Sequence, residues 1–220
     1  MINEVLNLFA PHLCSGCGFI GPLLCDCCKY DILYDSFNRC ILCGEASRYG
    51  VCEIHIMPFK QAWCVGERRT SLEHLINQFK FERVRSAANA LAYLLNETIP
   101  VLPPETVVIP LPTAQHHIRE RGYDHSLLIA RAFARLRKHS VQKVLGRHHA
   151  KSQRGATYGE RLEQASSAFY TTIQLSPSIS YLLIDDVVTT GATVQHAANT
   201  LKQNGAEIIY VGLLARQPLD

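Results

Sequence analysis

The run Tyr181-Leu182-Leu183-Ile184-Asp185-Asp186-Val187-Val188-Thr189-Thr190-Gly191-Ala192-Thr193 restricts the fold more than any other stretch of the chain. Four apolar residues in succession suit a strand buried on both faces, the habit of parallel sheets covered by helices. Two carboxylates then stand near the carboxyl end of that strand, where open parallel sheets bind ligands. Helical spacing follows in Val194, Ala197, Ala198 and Leu201, with Gly205 as its stop. Thr189 to Thr193 therefore form a strand-to-helix turn whose hydroxyls and amides suit a phosphate. Acids for sugar hydroxyls a few residues from a loop for a 5-phosphate match a ribose 5-phosphate. No Gly-x-x-x-x-Gly-Lys-Ser/Thr occurs, and the one Gly-x-Gly-x-x-Gly spacing, Gly16, Gly18 and Gly21, falls inside a cysteine knuckle rather than between an apolar strand and a helix, so triphosphate and dinucleotide readings have no support.

Further strands are expected at Ala62 to Val65, over Val107 to Pro112, where the strand runs into a loop, and at Ile208 to Leu214. Leu72, Leu75, Ile76 and Phe79, then Val84, Ala88, Leu91 and Leu95, recur at helical intervals, so one or two helices fill 71 to 96, with Thr70 and Glu73 spaced as a capping box. Thr113 to Asp124 reads as a polar loop, a helix resumes at Ser126, and 144 to 170 reads as a polar loop ending strand-like at Ala168-Phe169-Tyr170. Alternating strands and helices with apolar strands give an α/β fold, a parallel sheet flanked by helices.

Eight of the nine cysteines lie between Cys14 and Cys52. Residues 1–57 thus separate, as a short helix around Val5 to Phe9 plus a cysteine-rich module, from a larger domain over 58–220. Cys14/Cys17, Cys25/Cys28, Cys40/Cys43 and Cys52/His55 are four pairs with zinc-knuckle spacing, ligands for one or two structural tetrahedral sites. Sequential and interleaved pairing of the knuckles both remain open, and Cys27 is a neighbour able to replace Cys28. Cys64, the ninth, is expected in the core.

Lys and Arg number 22 against 19 acids, so no global basic coat exists. Locally, however, Arg131, Arg135, Arg137, Lys138, Lys143, Arg147, Lys151 and Arg154 occur between His125 and Gly159 without one acid. Arg135, Arg147, Lys151 and Arg154 are the candidates for contact with single-stranded DNA; a solvated helix face accounts for the same charges, and His116-His117 and His148-His149 lack ligand spacing. No apolar run reaches the roughly 18 residues of a membrane span and Met1-Ile2-Asn3-Glu4 lacks a basic signal start, so a soluble cytoplasmic protein is expected.

The aliphatic, two-acid, Thr-Thr-Gly element resembles that of the type I phosphoribosyltransferases. The cysteine-rich start, Gln78-Phe79-Lys80-Phe81, Ile109-Pro110-Leu111-Pro112, Arg119-Glu120-Arg121-Gly122-Tyr123, Gln153 to Arg161 and Ala168-Phe169 narrow the resemblance to the ComF/GntX competence-protein family over nearly the whole chain. The resemblance implies a double zinc ribbon, phosphoribosyl pyrophosphate with magnesium as ligand, phosphoribosyl transfer to an unidentified acceptor, and work in DNA uptake with competence or recombination proteins. It assigns ribose hydroxyls and magnesium to Asp185 and Asp186, and the 5-phosphate to the loop of Val187, Val188, Thr189, Thr190, Gly191, Ala192 and Thr193. Pro110, Leu111, Pro112 and Thr113 become the pyrophosphate loop, Arg119 and Arg121 nearby cations, Lys80 a matching position, and Arg147 to Arg161 a lid. Asp124-His125 stands where the family usually has Asn-Gln, and a carboxylate there repels pyrophosphate unless paired. Gln164 and Ser167 replace the usual Asn and Gly.

Overall fold

The structure, a computed structural model, describes residues 12–35, 37–148 and 169–218. The amino-terminal helix expected around Val5, the stretch 149–168 with Lys151, Arg154, Gln164 and Ser167, and most of the expected lid lie outside these residues. The cysteine-rich part is sparse in regular structure: β1 (His12–Leu13) pairs antiparallel with β2 (Ile20–Gly21), and α1 (Asp26–Tyr34) follows.

The larger part runs β3 (Gln61–Glu67), α2 (Thr70–Phe81), α3 (Ala87–Thr98), β4 (Val107–Pro110), α4 (Gln115–Arg121), α5 (His125–Arg137), β5 (Ser140–Val141), β6 (Leu145–Arg147), β7 (Phe169–Thr171), β8 (Ser180–Val188), α6 (Ala192–Gln203) and β9 (Ile208–Arg216). Five strands form one sheet in the order β3-β9-β8-β4-β5, every neighbouring pair parallel. The chain leaves β4 toward β5 on one side and returns at β8 on the other. The crevice beyond β4 and β8 is therefore the topological switch point, where such sheets place ligands.

Strand alternation divides the core. Leu182 and Ile184 of β8 join Leu75, Phe79, Leu91 and Phe133 under α2, α3 and α5, whereas Tyr181 and Leu183 join Val194, Ala197 and Leu201 of α6. Both faces are thus covered, as the apolar runs require. Cys64 is buried here, and that burial pushes its thiol up to about 12.

Three local expectations change. Thr70 is the first residue of α2 at φ 45°, Arg69 takes the cap position without a side-chain bond, and Glu73 pairs with Arg68 at 3.4 Å. The capping box does not form because Arg68 N–H still donates to the Arg216 carbonyl at 2.8 Å, which extends strand pairing to the helix threshold. The loop read over Thr113 to Asp124 contains α4, whereas the strand-like end expected for the 144–170 stretch is present as β7, paired antiparallel with β6. Arg137 is not a free cation. Its guanidinium donates to the Asn96 and Ile99 carbonyls, both at 2.5 Å, and to Pro100 O at 3.1 Å, closing the carboxyl end of α3.

The cysteine-rich part leans on the outer strand β3. Gly50 sits at φ 72° with its Cα against the Ala62 carbonyl, where a Cβ would collide, and Ala62 N–H donates to Tyr49 O at 3.0 Å. No helix among the described residues is long and apolar enough to cross a membrane.

Candidate functional site

The alternation that sorts the core also aims the acids. Asp186 follows Ile184 onto the α2 and α5 face, and there Lys80, in the last turn of α2, meets it at 2.9 Å. Both side chains are mostly withdrawn from water, 15% and 12% exposed, so this is a desolvated pair rather than a surface one. Asp185 lies on the opposite side of the strand. Burial, helped by the Asp186 charge, pushes its carboxyl up to about 7, while the Asp186 amide donates to Asp185 Oδ1 at 2.9 Å.

A cleft of about 210 Å³ opens over these groups. Its walls include Lys80, Arg121, His125, Asp185, Asp186 and Thr193, with Leu111 to Ala114 from the loop after β4. Three segments distant in sequence thus meet at the switch point. Gly191, at φ 76°, is the cap residue of α6, and Thr189, Thr190, Ala192 and Thr193 beside it are exposed. A second cavity of about 580 Å³ adjoins across Pro112 to Ala114, with Arg119, Lys143, Arg147, His148 and Tyr170 in its lining. Arg119 therefore serves the larger cavity and Arg121 the smaller, whereas Arg147 borders both.

Asp124 and His125, the departures from the family pattern, have local employment. Asp124 caps α5, accepting from Leu127 N–H at 3.1 Å, and accepts from the Thr113 hydroxyl at 3.1 Å. Its charge is engaged by donors, one of them on the loop after β4, so it braces that loop. His125 is buried edge-on to Phe79 and accepts from the Arg121 guanidinium. Burial, with Arg121 and Lys80 nearby, pushes its imidazole down to about 4 despite the Asp186 charge, so the ring is neutral and able to accept.

The cysteine donors converge in sequential sets. Cys14, Cys17, Cys25 and Cys28 form one group and Cys40, Cys43, Cys52 and His55 another, the ligand atoms of each within 4.8 Å of one another. Interleaved pairing does not occur. Cys17 and Cys25 sulfurs stand 3.8 Å apart and those of Cys43 and Cys52 3.7 Å. Thiolates on a tetrahedral zinc at about 2.3 Å stand about 3.8 Å apart, so the spacing fits that ion. Backbone amides around each knuckle pull the Cys14 and Cys40 thiols down to about 6 against the upward push of burial, favouring thiolate. Cys27 is exposed and outside both groups. Metal analysis should accordingly find two ions per chain in Cys27→Ser, as in the parent protein, and one in Cys28→Ser; equal losses would overturn the ligand assignment.

Sequence reasoning leaves Lys80 without a role and does not anticipate the placement of His125 beside Arg121. A hint for the first is a lysine directly after the apolar positions Leu72, Leu75, Ile76 and Phe79, where the helix meets the sheet's ligand end.

No protein-family model matches the chain. Competence protein F of Haemophilus influenzae is 29% identical over 211 residues, 88% of this chain and 90% of that protein. DNA utilization protein YhgH of Escherichia coli K12 is 26% identical over 224 residues, 89% of this chain and 97% of the relative. Competence protein ComFC of Bacillus subtilis is 24% identical over 194 residues, 83% and 79% of the two chains. With matches running along almost the whole length, a parallel α/β sheet and two cysteine clusters suited to zinc, the chain is similar throughout to the ComF-type competence proteins.

Proposed function

We propose that this protein binds phosphoribosyl pyrophosphate with magnesium in the cleft beyond β4 and β8, transfers the phosphoribosyl group to an acceptor, and acts in DNA uptake and transformation. The observation that carries this reading is the meeting of the Asp185-Asp186 pair, the Thr193 end of the α6 turn and the Leu111 to Ala114 loop in one cleft. The two carboxylates suit ribose hydroxyls and a hard divalent ion, which prefers oxygen ligands. Thr189 to Thr193 would receive the 5-phosphate, and Pro110 to Thr113 with Arg121 the pyrophosphate. Magnesium, when bound, neutralises charge on the departing pyrophosphate. The chain's own part is to orient the sugar through the acids, hold the phosphates at fixed donors and fix the Asp186 side chain in position through Lys80. The place in DNA uptake rests on the names of the relatives, which refer to competence and to DNA utilization. Titration calorimetry with phosphoribosyl pyrophosphate tests the binding, which should require magnesium; heat without magnesium dependence counts against it. A panel of nucleobases and related heterocycles, followed by pyrophosphate release, then tests transfer.

A second reading, a non-catalytic ligand-responsive accessory that binds single-stranded DNA, draws on Arg131, Arg135, Lys138 and Lys143, all exposed on or just after α5. Arg137 is excluded from such a track by its bonds to α3. Strand affinity should fall steeply with salt, and Arg135→Ala should lower that slope by about one. Pyrophosphate release without strand binding favours transfer alone; the reverse favours the accessory.

A further inference from the structure

The second cysteine cluster touches the phosphate loop through two side chains. Arg216, at the end of β9, is 1% exposed and directs its guanidinium at the knuckle. Nε donates to Ile41 O at 3.0 Å and Nη2 to Leu42 O at 2.9 Å. Ile41 and Leu42 are the two residues between ligands Cys40 and Cys43. On its other side Arg216 is in register with Val188, and Gln217 N–H donates to Val188 O at 2.8 Å. The Leu42 side chain meanwhile lies directly on Gly191, where any Cβ would collide with Leu42 Cδ2. The knuckle is thus clamped to both ends of the 188–191 turn.

Charge supports the same arrangement. A divalent ion with three thiolates and a neutral imidazole carries one net negative charge, and a buried guanidinium beside that knuckle offsets it. Loss of metal would free the knuckle and leave Arg216 with acceptors no longer fixed. The first cluster is tied elsewhere: Ser15 hydroxyl donates to Gln78 Oε1 at 2.6 Å and Ser15 O bonds His74, both on α2.

We propose that the metal centre of Cys40, Cys43, Cys52 and His55 holds residues 189–193 in their binding shape, with Arg216 and Leu42 as the positioning residues, so that metal occupancy of this cluster alone tunes affinity for a sugar phosphate. The inference rests on the reading of 189–193 as a phosphate loop. Hydrogen exchange of the ligand-free, metal-loaded full chain reads the coupling without that reading. Leu42→Ala and Cys43→Ser should each raise exchange of amides 189–193 roughly tenfold, whereas Cys17→Ser should leave it unchanged. Arg216→Lys, which keeps the charge, should fall between parent and Leu42→Ala, and it tests the coupling with the metal retained should Cys43→Ser fail to fold. Calorimetry with ribose 5-phosphate should weaken about tenfold in parallel. Unchanged exchange in Leu42→Ala, or an equal rise in Cys17→Ser, overturns the proposal. If the parent protein does not bind ribose 5-phosphate while exchange responds as described, the phosphate reading falls and the coupling stands.

Discussion

Asp186→Asn should weaken magnesium-dependent binding of phosphoribosyl pyrophosphate by about a hundredfold or more, and Asp185→Asn by a similar factor. Each charge-assisted hydrogen bond contributes about 1.5 to 3 kcal/mol, and each acid is assigned to both hydroxyl and ion. Stability separates the two variants. Asp186 is the partner of Lys80, so its amide leaves an ammonium in a largely dry site and should lower unfolding free energy by about 3 kcal/mol. Asp185 is held above the ordinary carboxyl range by burial and by its neighbour, so its amide should leave stability unchanged or slightly raised. Adding Lys80→Met to Asp186→Asn should restore the melting temperature without restoring affinity; recovered affinity would falsify the role given to Asp186. The pH dependence follows the same carboxyl. Below about 7 Asp185 holds a proton that metal must displace, so affinity should fall up to about tenfold per pH unit on acidification. A flat profile from about pH 5 to 8 argues against metal contact by Asp185.

Chelation should produce the second large effect. Between residues 12 and 57 the described structure holds two strands of two residues and one helix of nine, and the buried positions include the ligands Cys14, Cys28 and Cys40. Such a segment lacks the apolar area to order itself, and structural zinc contributes about 10 to 16 kcal/mol to comparable peptides. Removing metal should therefore open trypsin sites between Cys14 and Cys52, such as Lys29, Arg39 and Arg48, and lower the melting temperature by roughly 10 °C or more. Protection that survives complete metal removal would mean that packing against β3 and α2 suffices.

The sheet, its helices and the four knuckle pairs were largely legible because each rests on local periodicity or spacing, whereas which pairs share a site needed the fold. Leu182/Ile184 against Tyr181/Leu183 is a two-sided strand by composition, and that same alternation decides which acid meets α2. Lys80 and Arg216 were hardly legible: each acquires its partner across more than a hundred residues, and apart from the apolar positions that precede Lys80 nothing in a local window marks a side chain that turns inward. Asp124 has a role that its neighbours in sequence do not announce: Leu127 and Thr113 donate to it, so the carboxylate caps a helix and ties down the loop after β4. Thr70 and Glu73 show the opposite case, a correct local signal overruled by the strand pairing that runs into it.

Tyr49 and Gly50, pressed on Ala62, have an implication for how short the protein can be. A version trimmed to 58–220 would present the seven residues of β3 as a naked border, and such borders recruit copies of themselves into aggregates. Solubility, before any chemistry, would then require the metal-bound appendage to stay.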